Sequence, residues 1–255
     1  MLVDLSSMAS FVMYPVLRAV VDALPERHLT IGYSEALKYY PERTEWESFG
    51  KTLSGKDIVG RAELFDNQYF QSTGAEQVYE AMSFVGKNPS EFPGKLVIIP
   101  NFSFHRVFNM WEYAMDSLNV DRTDVQWIIR EPPNKEENGW RADAVYKLCN
   151  QPKNCDYCCT LNYKDVFAKL QAVWEENYST RSLYIATLGS KAQHLGTLLF
   201  LLMHPDVSLL LSEPTSFVAE RFSEGVGNLR QLSFGSIETL ARALQGWNRL
   251  DFVWE

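Results

Sequence analysis

The sequence has no apolar stretch near the ~18 residues that a membrane-spanning helix requires. Its longest, LGTLLFLLM from Leu195 to Met203, is about half that length. A membrane partner is therefore not expected. It also has no run of lysines and arginines: 32 acidic side chains face 24 basic ones, for a net charge of −8. A generic nucleic-acid binder carries a basic face, so non-specific nucleic-acid binding is excluded. A small anion held by two or three placed cations is not. Histidines number four and are scattered. No H-E-x-x-H, no G-x-S-x-G and no Cys–His pair with an evident partner is present, which removes the usual metalloprotease and serine-hydrolase signatures.

Cysteine is scarce and confined. All four lie within CNQPKNCDYCC, as Cys149, Cys155, Cys158 and Cys159. Cys155 and Cys158 have the C-x2-C spacing of a zinc site, and Cys149 is a candidate third thiolate. Against a metal, the adjacent Cys158 and Cys159 point different ways and no second pair exists. We expect reduced, metal-free thiols on a helix end, a turn and a short strand, and no bound cofactor. No basic segment precedes an apolar one at the N-terminus, so no signal peptide is expected, and the expected compartment is the cytoplasm. Strand-like residues begin at once with Met1-Leu2-Val3-Asp4, which suggests an abrupt start or a missing upstream portion.

What is present is ordinary for a globular protein: 46% hydrophobic and 22% charged residues over 255 positions. Short apolar runs alternate with helix-period segments. MLVDL, HLTIGYS, KLVIIP, DVQWIIRE, SLYIATL and VSLLLSE read as strands. SSMASFVMYPVLRAVVDAL, GAEQVYEAMSFV, FHRVFNMWEYAMDSL, WRADAVYKLC, YKDVFAKLQAVWEEN, SKAQHLGTLLFLLM and SIETLARALQGW read as helices. Such alternation predicts βαβ units, hence an α/β, Rossmann-like layered sandwich with a mostly parallel sheet. LVIIP and VSLLL are apolar throughout, as strands covered on both faces are.

One phrase occurs twice, each time after an apolar run. YSEALKYYPERTEW (33–46) and LSEPTSFVAERFSE (211–224) share Ser34/Ser212, Glu35/Glu213, Glu42/Glu220 and Arg43/Arg221. The expectation is a loop leaving a buried strand in each of two pseudo-repeated halves: residues 1–92, with a long 34–72 loop, and residues 93–255. Any two βαβ units share such periodicity, so the repeat alone does not prove duplication.

Strand exits supply the candidate site. In TLGSKAQ a buried strand ends, Gly189 turns the chain and a helix starts at Ser190 or Lys191. Free N–H groups and the positive end of the helix dipole suit an anion there. In VDLSSMA, Asp4 ends a strand, with Ser6 and Ser7 after it. Glu35 and Glu213 follow strands directly, and Arg43 and Arg221 can reach a phosphate or staple the loops. PNFSFHR places Asn101, His105 and Arg106 at a further exit, and Trp140-Arg141 follows the Pro132-Pro133 loop. GKTLSGKD (50–57) imitates a phosphate loop, but Asp57 replaces the required Ser or Thr and no apolar strand precedes it.

ATLGSKAQHLG resembles the strand–Gly–Thr/Ser–Lys–helix motif of CRISPR-associated Rossmann-fold (CARF) ligand-sensing domains, and VDLSSMASF resembles their first-strand turn. The likeness covers two short turns, about a tenth of the chain. It implies a sensor of a nucleotide or oligonucleotide in a bacterial or archaeal defence system, with Ser6, Ser7, Gly189, Ser190 and Lys191 as ligand contacts. The long loop, the second half and the lack of an R-x4–6-H ribonuclease motif depart from that family. An effector would then sit on a protein partner or in a missing segment. The leading expectation is a ligand-binding module for a phosphate-bearing small molecule. The alternatives are a nucleotide-processing hydrolase or glycosyl-transfer enzyme using Asp4, Glu35 or Glu213, and an assembly subunit with aromatic loops.

Overall fold

The computed structural model describes residues 1–24, 26–49, 72–73, 77–86, 92–237 and 239–240. In chain order the elements are β1 (Leu2–Asp4), α1 (Ser10–Ala23), β2 (His28–Ser34), β3 (Lys38–Tyr39), α2 (Arg43–Phe49), β4 (Ser72–Thr73), β5 (Gln77–Glu80), β6 (Gly94–Ile99), α3 (Phe104–Ser117) and β7 (Val120–Glu131). There follow α4 (Lys135–Asn138), α5 (Trp140–Leu148), β8 (Cys155–Cys159), α6 (Tyr163–Asn177), β9 (Ser182–Thr187), α7 (Lys191–Met203), β10 (Ser208–Glu213), β11 (Ser216–Phe217), β12 (Ser223–Glu224) and β13 (Leu229–Ser236).

Six strands form the main sheet in the order β5-β10-β9-β6-β7-β8. All are parallel except β5, which runs antiparallel to β10. From β6 the chain winds outward through β7 to β8, then returns across β6 to β9 and on to β10. This is the α/β, Rossmann-like arrangement, and its winding reverses between β6 and β9, paired through Ile98↔Ala186 and Ile99↔Thr187. Ligands of open α/β sheets bind beyond the strand ends at such a switch point.

Side-chain alternation divides the core between the faces. Leu96 and Ile98 of β6 pack with Val107, Met110 and Ala114 of α3 and Val145 of α5. Val97 and Ile99 pack on the other side, with Val166 and Leu170 of α6 and Leu198 of α7. Met13, Tyr14 and Leu17 of α1 join that second core. They bring with them a small sheet, β1-β2-β13, in which β1 and β2 are parallel and β13 is antiparallel. The β1–α1–β2 unit thus covers the α7 side of the main sheet.

Three expectations need correction. GAEQVYEAMSFV is not a helix: Gln77–Glu80 is strand, followed by a single 3-10 turn at Met82–Phe84. The open edge of β10 takes up Val78 and Tyr79 as an antiparallel partner, and that pairing outweighs a modest helix propensity. Helix α1 starts at Ser10 behind Ala9, with no side-chain cap, because Ser6 is already engaged in the preceding turn. LRQLSFGS, not read as a strand, is β13. Of the helix expected at 236–247, Ser236 instead ends β13, Ile237, Thr239 and Leu240 are helical, and the rest lies outside the described residues. The phosphate-loop imitation at 50–57 lies outside the described residues.

The two expected halves exchange strands. β13 from the second range completes the sheet of the first, and β5 from the first extends the sheet of the second. The repeated phrases follow β2 and β10, and they pair with each other: β3 and β12 run antiparallel with Ser223↔Tyr39 and Glu224↔Lys38.

Candidate functional site

The turn between β9 and α7 is built from short local bonds. The Ser190 side chain accepts from the Gln193 amide at 3.2 Å. The Gln193 side chain accepts from the Ser190 amide at 2.9 Å. Together they make a reciprocal capping box. The Gly189 amide donates to the Thr187 hydroxyl at 3.2 Å. The glycine is required by crowding: a Cβ there would lie 2.8 Å from Gln193 Oε1. The Ser190 hydroxyl also donates to the Thr160 carbonyl. The turn therefore uses Gly189 and Ser190 on itself. Among the described residues it leaves the Lys191 and Ala192 amides without acceptors, at the positive end of a 13-residue helix.

Four cations lie at element ends along the carboxyl edge of the main sheet. Lys191 reaches the Met8 carbonyl, and burial pushes its ammonium down to about 8. Arg106, from the β6 exit, is 6% exposed and donates to the Ser212 carbonyl. Burial pushes it down to about 10, with Glu213 opposing. Arg141, at the start of α5, donates to the carbonyls of Tyr39 and Pro41 at 2.5 and 2.8 Å, and burial lowers it to about 10. Arg130, at the end of β7, is pushed down to about 10 by burial and then by Arg141.

These groups act on one another. His194 is buried on α7, with Nδ1 3.0 Å from the Tyr14 hydroxyl. Burial, followed by Lys191, Arg130 and Arg106, drives its pKa well below the ordinary value, so it is neutral. Among the described residues none of Arg106, Arg130, Arg141 and Lys191 is in a salt bridge. Arg130 donates to no described group, and its buried Nε has no partner. Arg130, Arg141, Lys191 and Tyr33 are enclosed by protein yet keep some accessible surface.

A cavity of about 280 Å³ lies between the first turn of α7 and the small sheet, with Tyr33, Lys191 and Arg230 among its lining; Arg106, Arg130 and Arg141 lie outside that lining.

Other predicted site residues have local partners. Asp4 accepts from the Ser6 amide and hydroxyl at 2.9 and 2.5 Å, which holds its carboxyl below the usual range. The Ser6 hydroxyl also accepts from the Ser34 amide and so ties β1 to β2; Ser7 is exposed. Glu35 pairs with Arg230 at 2.5 Å, and Glu213 accepts from the Tyr79 hydroxyl at 2.6 Å. Arg43 pairs with Glu47 on the exposed face of α2. Arg221 pairs with Glu45 at 2.8 Å and lies over the Tyr40 ring at 5.0 Å, so it fastens one repeated phrase to the other.

Cys155 packs toward the α3/α5 core while Cys158 is buried in the α6/α7 core. The strand separates the C-x2-C pair onto opposite faces, where one ion cannot bridge them. Cys149 is buried with the first group, and Gln193 donates to the Cys158 sulfur at 2.8 Å. All four thiols are free.

Comparison with family models, curated proteins and solved structures returned no match. Arg130 and Arg230 are the residues that sequence reasoning missed. The signal for Arg130 was there: a charged residue in the alternation Gln126, Ile128, Arg130, directly after the buried stretch 125–129 of β7.

Proposed function

We propose that this chain is a ligand-binding, regulatory Rossmann-like module that recognises a phosphate-bearing small molecule at the carboxyl edge of its main sheet. The observation that carries this reading is Arg130: an enclosed guanidinium that has no carboxylate or carbonyl partner among the described residues and feels the charge of Arg141. An enclosed, unpaired charge costs several kcal/mol unless something compensates it. A phosphate does so bidentately, while the Lys191 ammonium and the two free amides of α7 meet its other oxygens. The carboxylates available for the alternative enzymatic reading, Asp4, Glu35 and Glu213, are each engaged by a separate neighbour, which favours binding over chemistry. The resemblance of the two turns to CARF domains adds a nucleotide-like ligand and a role in a prokaryotic defence system, with any effector on a partner protein.

The test is mass spectrometry of small molecules released by denaturing the purified protein. A phosphate-bearing species should accompany the wild type and be depleted in Arg130→Gln. Equal recovery from both proteins contradicts the assignment.

A further inference from the structure

The cavity has a largely aliphatic lining. Leu5, just after β1, Ile31 of β2, Leu161, Leu195 and Leu232 form that part of its wall. Its charged lining residues are Lys191 and Arg230, the latter paired with Glu35, which leaves Lys191 as the cation without a carboxylate among the described residues. Lys191 and Ala192 belong to this wall and also to the free amides of α7. Tyr33, on the same wall, has its hydroxyl 3.1 Å from that of Tyr39. One bound molecule can therefore touch the cations and the aliphatic wall together.

We infer that the ligand is an organic phosphate whose remaining part is a compact apolar or aromatic group, seated between α7 and the small sheet with its phosphate toward Lys191 and the first amides of α7. The inference rests on the proposed anion site and adds the chemical class of what the anion is attached to. Charge complementarity fixes the sign of one end, and the aliphatic wall fixes the character of the other. Inorganic phosphate would occupy only the polar end and leave the wall wetted. At about 280 Å³ the cavity lies near the lower limit of the ~300–1,000 Å³ typical of small-molecule sites, so the apolar part is small.

Calorimetric titrations with inorganic phosphate, 1-naphthyl phosphate and 1-naphthol test this. The naphthyl phosphate should bind at least about tenfold more tightly than inorganic phosphate, since buried apolar surface adds to affinity. Gln231→Trp fills the cavity from the exposed strand β13 and should erase that advantage while leaving inorganic phosphate binding intact. Leu161→Phe serves the same purpose if the first variant folds poorly. Equal affinity of the two phosphates, an advantage that survives both variants, or naphthol binding as tightly as its phosphate each overturns the inference. If phosphate binds without a naphthyl gain, only the ligand class fails. If neither phosphate binds the wild type, the anion site itself fails and the inference with it.

Discussion

Replacing Arg130 by Met should stabilise the ligand-free protein. The guanidinium is surrounded by protein, repelled by Arg141, and bonded to no described group. Its pKa falls from 12.5 to about 10, which corresponds to ~3 kcal/mol against the charged form in the folded state. Because part of the side chain remains accessible, the recoverable amount is ~1–3 kcal/mol. At neutral pH arginine is charged in both the folded and the unfolded chain, so the whole penalty is present there. Relief would come only as pH rose above about 10. Methionine has an unbranched stem of similar reach and no charge. For a chain of this size the gain corresponds to a rise of roughly 2–10 °C in Tm. The assay is thermal denaturation of dialysed protein in a phosphate-free buffer, repeated with phosphate added. The wild type should gain Tm from phosphate and the variant should not. A lower Tm for Arg130→Met without phosphate would refute the view that this charge awaits a ligand.

After allowance for phosphate's own second ionisation, its affinity should weaken as pH rises above about 8. Lys191 is lowered to about 8 in the free protein, an anion favours its charged form, and Lys191→Gln should abolish the dependence; titrations from pH 6.5 to 9.5 check this. Lys191→Gln should also weaken phosphate binding by ten- to a hundredfold, the loss of one charge-assisted contact worth ~1.5–3 kcal/mol. Arg221→Ala should cost ~1–2 kcal/mol in urea denaturation by releasing Glu45 and Tyr40, with phosphate affinity unchanged. Gly196→Ala should cost ~2–4 kcal/mol or prevent folding, because its Cβ would collide with the Tyr163 carbonyl and Val166 where α7 meets α6.

The main sheet could be read from the sequence because its strands are apolar on both faces and their helices obey a 3.6-residue period. KLVIIP and SLYIATL became adjacent strands, and SKAQHLG began the helix between β9 and β10, as the pattern implied. β5 and β13 escaped because both lie at sheet edges, where one face is wet and alternation is weak: GAEQVYEAM suits a helix equally well, and LRQLSFGS is half polar. The turn at Gly189 was legible, but the use of its groups was not. Ser190 and Gln193 close a capping box, which moves the available donors to Lys191 and Ala192. Arg43 and Arg221 stood out by repetition, whereas Arg130 and Arg106 form the cation cluster. Repetition reports on topology. The cluster depends on strand order, which brings β6, β7 and β9 side by side from positions far apart in the chain.

The central claim is that phosphate binds at the first turn of α7 beside Arg130. Amide chemical shifts of ¹⁵N-labelled protein during a phosphate titration test it most directly. The account predicts saturable shifts at the Lys191 and Ala192 amides that collapse in Arg130→Gln, with smaller changes at Ser190, whose amide is already bonded to Gln193. Saturable shifts confined to another region, or none at Lys191 and Ala192, would contradict it.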